Sequence, residues 1–457
     1  EGEQESGSVR ETQTQFNLPG VPKAKQGREV PQQWEWTEAS VWTERMLATL
    51  TGGIKGGKWF SLMDKVYKID NLQSALKEVT RKKGAGGVDG MTTERFLAES
   101  PQRLVRLQSL IKEGKYLPQP AKRVWIEKPG SKEKRPLGVP TVEDRFVQSA
   151  LRHVIEPIFE NTFAEHSYGF RPGRGAKGAL RRVNQVLKAG NVWVVDADLK
   201  GYFDSIPQDK LMEHVIEHIA DGAVLELIWK FLKQGVMESG RGWQPTETGT
   251  PQGAVISPLL ANIYLNPLDH LMAKAGKEMV RYADDFVVMC KTEEEARETL
   301  EQIRSWVEQV GLVLHPTKTR IVDASQKGGF DFLGYHFERG KKWPRKKSLT
   351  KFKDSIREKT GRIRPGNIQE IVRDVNLTLR GWFEYFKHSA KGAFKDLDAW
   401  VRGRLRSILC SRHGKPSTDR WTFSTHKRWP LNYFEPFGLI SMASLRNTAS
   451  QSRRRNH

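Results

Sequence analysis

The sequence predicts an α+β protein in which an antiparallel sheet is followed by a helical, strongly basic C-terminal part, and three observations carry that prediction. Asn191 to Asp198 and Met279 to Cys290 are short, β-branched, apolar runs that place aspartates where a strand ends or a hairpin turns. Ile368 to Phe386 and Phe394 to Leu409 repeat apolar residues every three or four positions, as amphipathic helices do. From Glu338 onward 29 lysines and arginines face 10 acids, whereas 46 face 44 before it.

In chain order, residues 1–60 are polar with scattered tryptophans and close on Gly52-Gly-Ile-Lys-Gly-Gly-Lys58, which reads as an extension that orders on a partner, its first fifteen residues disordered. Asn71 to Arg81 and Thr93 to Glu113 have helical spacing on either side of the turn Gly84 to Gly90. Val124 and Ile126 precede, and Leu137 and Val139 follow, a run of lysines and arginine from Lys128 to Arg135, so Lys122 to Val139 reads as a hairpin with a basic tip. After the strand Asn191 to Asp198 come helices over Lys210 to Ile219 and Ala223 to Val236. The hairpin Met279 to Cys290 has Asp284 and Asp285 at its tip, and Glu293 to Gln309 is helical. Strands are expected near Leu312 and over Phe330 to Phe337. The last 45 residues read as irregular and basic.

With 75 lysines and arginines against 54 acids in 457 residues, the net charge of +21 points to a polyanionic partner, most simply nucleic acid. Tryptophans 343, 382, 400, 421 and 429 are interleaved with the C-terminal charges, a pattern suited to backbone contact with base stacking. Two cysteines, Cys290 and Cys410, exclude a disulfide framework and a four-cysteine zinc site and suit a reducing cytosol. No apolar run approaches the ~20 residues of a membrane-spanning helix, so no membrane partner is expected. Two short motifs carry little. Gly52 to Lys58 has Walker-like spacing, but Trp59 stands where a Ser or Thr would hold Mg²⁺; His214-Val-Ile-Glu-His218 lacks a third zinc ligand.

The carboxylates matter more. Asp198 at one strand end and Asp284 and Asp285 at a hairpin tip converge if the strands are neighbours. Such a cluster is unfavourable by several kcal/mol unless cations neutralise it. Hard oxygen donors of this kind suit Mg²⁺. Two such ions would activate a 3′-hydroxyl and stabilise a leaving pyrophosphate, which is polymerase chemistry.

Tyr282-Ala-Asp-Asp285 is similar to the Y-x-D-D box of reverse transcriptases, and Asp198-Leu-Lys-Gly-Tyr-Phe-Asp204 to their first palm motif. Arg135 to Arg145, Ser167-Tyr-Gly-Phe-Arg-Pro-Gly-Arg174, Gly249-Thr-Pro-Gln-Gly253 through Asn262, Phe332-Leu-Gly-Tyr335 and Leu379-Arg-Gly-Trp-Phe-Glu-Tyr-Phe386 follow in the order of bacterial group II intron reverse transcriptases. The resemblance runs from about Trp59 to Phe437. It implies a right-hand polymerase, with fingers and antiparallel-sheet palm over 61–337. An α-helical thumb or maturase domain over 338–410 and a basic DNA-binding tail over 411–457 would follow.

By the same resemblance Asp198, Asp284 and the Leu199 carbonyl hold two Mg²⁺ ions, and Asp285 supports them. Phe203 lies under the sugar and favours dNTPs. Lys128 and Arg135 clamp the triphosphate with Lys122 or Arg123 nearby, Gln252 lines the nucleotide pocket, and Lys318 approaches from the next motif. The implied function is RNA-directed DNA synthesis by a cytoplasmic bacterial protein that binds its group II intron RNA through the RNA-binding extension 1–60, the fingers and the thumb, assists splicing and copies the intron at a target DNA, gripping a primer–template duplex; the alternatives are an RNA-binding splicing cofactor with vestigial polymerase and a domesticated reverse transcriptase in defence or repair. Ala254 replaces a glycine usual in the family. Without a cysteine cluster, second-strand cleavage by a His-Asn-His nuclease is expected to be absent.

Overall fold

A computed structural model describes residues 32–54, 56–127, 134–390 and 392–455. The expectations for the first fifteen residues and for Lys128 at the hairpin tip lie outside these. Before the first expected helix the chain is already folded: helix α1 (Glu44–Gly52) starts where the Thr43 side chain accepts from the Met46 amide. Trp34, Val41, Trp42, Leu47 and Leu50 are buried in the main core, and the Trp42 indole donates to the His153 carbonyl at 2.9 Å. Residues 32–54 therefore need no partner to order, which corrects the expectation of an extension through residue 60. Tryptophan is too large an apolar surface to leave wet once a groove is available.

Helix α2 (Ile69–Arg81) buries Leu72, Ala75, Leu76 and Val79 at helical spacing, against the long helix α3 (Val142–Glu160). Between them, Thr93 to Glu113 is two helices, Thr93–Ala98 and Ser100–Lys112. The break is at Glu99, because Pro101 suits a first turn and not a helix interior. Strands β1 (Ala121–Glu127) and β2 (Lys134–Val139) pair antiparallel with Lys122 opposite Val139 and Arg135 opposite Ile126.

Helix α4 (Ala176–Lys188) leads into the central sheet. That sheet comprises β3 (Trp193–Asp198), β4 (Glu278–Tyr282) and β5 (Asp285–Cys290), joined by β6 (Arg320–Asp323), in the order β4-β5-β3-β6. Helices α5 (Ser257–Lys274) and α6 (Glu293–Gln309) flank it in sequence. Val195, Ala197, Phe286, Val288 and Cys290 face the main core, while Val194, Val287 and Met289 face a second cluster with α4. Both faces are covered, so the strands read as continuous apolar runs. Strand β6 was not foreseen in the sequence, since Arg320 to Asp323 offers only Ile321 and Val322.

The expected strand Phe330 to Phe337 is two, β7 (Phe330–Phe332) and β8 (Tyr335–Glu338), and β8 pairs onward with β9 (Lys341–Pro344). The division expected at 337/338 thus falls inside one strand. Helix α7 (Lys346–Lys359), also unforeseen, packs with α8 (Ile368–Phe386) and α9 (Gly392–Arg412) around Phe352, Ile356, Leu379, Phe394 and Leu405. The last 45 residues are not irregular. Trp429, Phe434 and Met442 are buried in this helical core, and α10 (Met442–Arg455) packs on α8 and α9. No helix among the described residues is long and apolar enough to cross a membrane.

Candidate active site

The register of the sheet decides what the carboxylates can do. Asp198 lies directly opposite Asp285, and Asp196 opposite Val287. Side chains alternate along a strand, so Asp196, Asp198 and Asp285 share one face, with Asp284 in the turn beside them. Ala283, the first turn residue, has φ of +59°, and the Ala283 amide closes against Gly169: a Cβ there would meet it at 2.3 Å.

A buried arginine holds this turn. Arg281 is fully buried, ion-paired to Asp269 of α5, with Nε to Oδ1 at 2.8 Å. Its Nη1 donates to Asn262 Oδ1 and to the Ala283 carbonyl, both at 2.9 Å. Asn262 in turn donates to the Gly169 carbonyl at 2.8 Å. Helix, loop and turn are thereby fixed by one guanidinium, whose planar fork suits several acceptors at once.

Burial pushes the Asp285 carboxyl up to about 7, and the charges of Asp196, Asp284 and Asp198 add to that rise. Asp284 is also raised, by burial and then by Asp198, with Arg135 and Lys318 opposing. Asp196 is raised by burial although Arg320 Nε lies 3.2 Å from its Oδ2. Lys318 Nζ sits 2.7 Å from Asp198 Oδ2, a cation against the oxygen atom expected to hold a metal. Four crowded carboxylates, of which Asp196, Asp284 and Asp285 have raised proton affinity, with an ammonium among them, fit a site for a hard divalent cation. Among the described residues, however, no three acidic, histidine or cysteine side chains are already gathered around one point. Asp196 was missed in the sequence; its spacing of two from Asp198 along a strand was the available signal.

Leu199 pairs with Leu314 through the bonds on either side of it, from the His315 amide to the Asp198 carbonyl at 2.7 Å and from the Lys200 amide to the Val313 carbonyl at 2.9 Å. Its own carbonyl therefore points away from that segment. Phe203 is half-buried against Tyr202, its carbonyl accepting from Thr250 at 2.7 Å. Gly249, with φ of +79°, lies so close that a Cβ would meet the Phe203 carbonyl at 2.5 Å. Gln252 Nε2 donates to Asp204 Oδ2 at 2.7 Å, and its carbonyl accepts from the Gly138 amide at 2.7 Å, tying the loop to β2. Burial raises Asp204 as it does Asp284, and the charge of Arg135 opposes the rise at both. Lys122 is exposed on the hairpin; Arg123, on the opposite face of the strand, is the neighbour whose charge reaches Asp204.

Residues 126–337 match the reverse transcriptase (RNA-dependent DNA polymerase) family, and 349–429 the group II intron maturase-specific domain. Protein YkfC of Escherichia coli is 34% identical over 337 residues, covering 65% of this chain and 87% of YkfC. The group II intron-encoded protein LtrA of Lactococcus lactis is 40% identical over 208 residues, 45% of this chain. That match spans only 34% of LtrA. A partial Cas6-RT-Cas1–Cas2 complex shares 22% identity over 54% of this chain and 42% of that one, at a TM-score of 0.36.

Proposed function

Because this chain belongs to the reverse transcriptases that carry a group II intron maturase domain, we propose that it makes DNA on an RNA template at the face shared by Asp198 and Asp285. The observation that carries the reading is that crowding: Asp284 and Asp285 have raised proton affinity beside Asp198, and Lys318 is ion-paired to Asp198. Asp198, Asp284 and the Leu199 carbonyl would hold two Mg²⁺ ions, with Asp285 supporting. Bound there, they would supply positive charge to the primer 3′-oxygen and the departing pyrophosphate. Phosphoryl transfer asks the protein mainly for position and charge.

The remaining residues do that work. Arg135, with Lys122 or Arg123 and with Lys128 outside the described residues, would grip the triphosphate from the β1–β2 hairpin. Lys318 would leave Asp198 for a phosphate oxygen when dNTP arrives. Phe203, held by Gly249 and Thr250, would floor the sugar and exclude a 2′-hydroxyl. Gln252, oriented by Asp204, would line the nucleotide pocket. The helical C-terminal part would bind the chain's own intron RNA and assist its splicing before the intron is copied at a DNA target. Shape and phosphate contacts would dominate that recognition.

Primer extension on an RNA template with dNTPs and Mg²⁺, comparing wild type with Asp284→Asn, tests the reading. Synthesis by wild type alone is expected. Silence from both, with tight binding of structured RNA, would leave a splicing cofactor that keeps the fold without the chemistry.

A further inference from the structure

Helix α4 carries Lys177, Arg181, Asn184 and Lys188 at steps of four, three and four residues, one stripe along its outer face. The stripe does not look into solvent alone. It forms one wall of a cavity of about 500 Å³ whose other wall is the β8–β9 hairpin with Lys341 and Lys342, and Arg446 of α10 joins it. Around the hairpin turn the cavity continues into a second of about 350 Å³, which shares Asn184, Lys188, Gly340 and Lys341.

Like charges face each other across this groove. Among the described residues, none of Lys177, Arg181, Lys188, Lys341 and Lys342 has a carboxylate partner within ion-pair distance. Two acids border it: Glu384, bonded to Lys387 at 2.7 Å though the charge of Lys177 reaches it, and Glu338, which stands opposite Lys341 in the hairpin, lines the second cavity and accepts from the Gly328 amide at 2.8 Å. Lys342 stands over the rings of Tyr335 and Phe337 at 5.5 and 5.8 Å, so it is held in place by aromatic faces rather than by an anion. Burial and the charge of Lys188 push its ammonium down to about 8. A half-buried lysine beside four more cations is unfavourable unless a polyanion enters.

From these walls we infer that the groove between α4 and the β8–β9 hairpin is a second nucleic-acid site, taking consecutive backbone phosphates of a strand outside the catalytic cleft. The catalytic carboxylates do not line it. Its length favours a strand over a single phosphate: eleven residues of helix span roughly 16 Å, the axial rise of about five nucleotides of one duplex strand. The inference rests on the nucleic-acid reading above, and its two possible ligands, RNA and DNA, share the phosphate chemistry that the groove recognises.

Acylation of lysines in the wild-type chain, read by mass spectrometry, tests it with an RNA hairpin and a DNA hairpin of the same sequence as probes. Protection of Lys177, Lys188, Lys341 and Lys342 by either hairpin is expected, and the arm that protects names the ligand. Equal modification with and without both hairpins overturns the site. The variant Lys177→Gln/Arg181→Gln/Lys188→Gln should bind the protecting hairpin more weakly, with the slope of log K against log salt smaller by about 2, since each phosphate contact contributes roughly 0.7–0.9. An unchanged slope overturns it as well. Wild-type primer extension run alongside separates the two readings: extension with an unprotected groove removes the groove alone, while neither extension nor hairpin binding removes the parent reading.

Discussion

Arg281→Met would remove the guanidinium that joins α5 to the Tyr282–Asp285 turn, and the structure says how much should be lost. Arg281 is fully buried and Asp269 6% exposed, so methionine leaves Asp269 as a buried, uncompensated charge, and it strips the Ala283 carbonyl and the Asn262 amide oxygen of a donor. Breaking a buried pair from one side destabilises by about 3–5 kcal/mol. Urea unfolding of the variant should show a loss of that size. The double variant Arg281→Met/Asp269→Leu separates stability from positioning. An apolar replacement of a buried pair is often neutral or better, so the double variant should recover most of the stability. The Ala283 carbonyl still lacks its donor, so primer extension by the folded double variant should stay slow, through kcat more than KM. Two results would refute the reasoning: a single variant within about 1 kcal/mol of wild type, well below that range, or a double variant that regains full kcat.

Asp285 sets a pH dependence. Its folded-state pKa of about 7 lies above the unfolded value of about 3.9. The folded chain then binds more protons across that interval, and stability falls as pH rises through it. Urea midpoints measured in a chelator should show this decline in wild type and much less of it in Asp285→Asn; equal slopes would count against the crowded-carboxylate account. Phe203→Ala should admit ribonucleotides, relaxing sugar discrimination by roughly 10- to 200-fold, the range that steric pockets of this size supply. Competition between dNTP and rNTP in primer extension reads it, and unchanged selectivity would remove Phe203 from the sugar site.

What the sequence made legible was local. The runs ending in Asp198 and turning at Asp284 and Asp285 announce themselves by β-branched residues and an acidic tip, and both are strands. Their register is not local: no pattern within either run says that Asp198 faces Asp285, and the part of Asp196 follows only from that register. Arg281 was equally silent, because a charged residue in an apolar strand becomes meaningful only with Asp269 twelve positions upstream on a helix. Helix α7 was hidden by its lysines, although Leu349, Phe352 and Ile356 keep helical spacing. At both ends of the chain, Trp34, Trp42, Trp429 and Phe434 sit in polar stretches, and their burial is decided by grooves that distant helices make. Composition reads such stretches as extensions; packing makes them part of the core.

The join between β8 and α8 is tied from both sides. Tyr335 Oη donates to the Tyr385 carbonyl at 2.7 Å and Tyr385 Oη to the Leu333 carbonyl at 2.8 Å. Phe386 shares a buried cluster with Phe332, Tyr335 and Val287. Strand and helix are therefore keyed to each other at this join. On the proposed function, a join keyed in this way would favour a duplex that slides past a clasp of fixed shape at each base step.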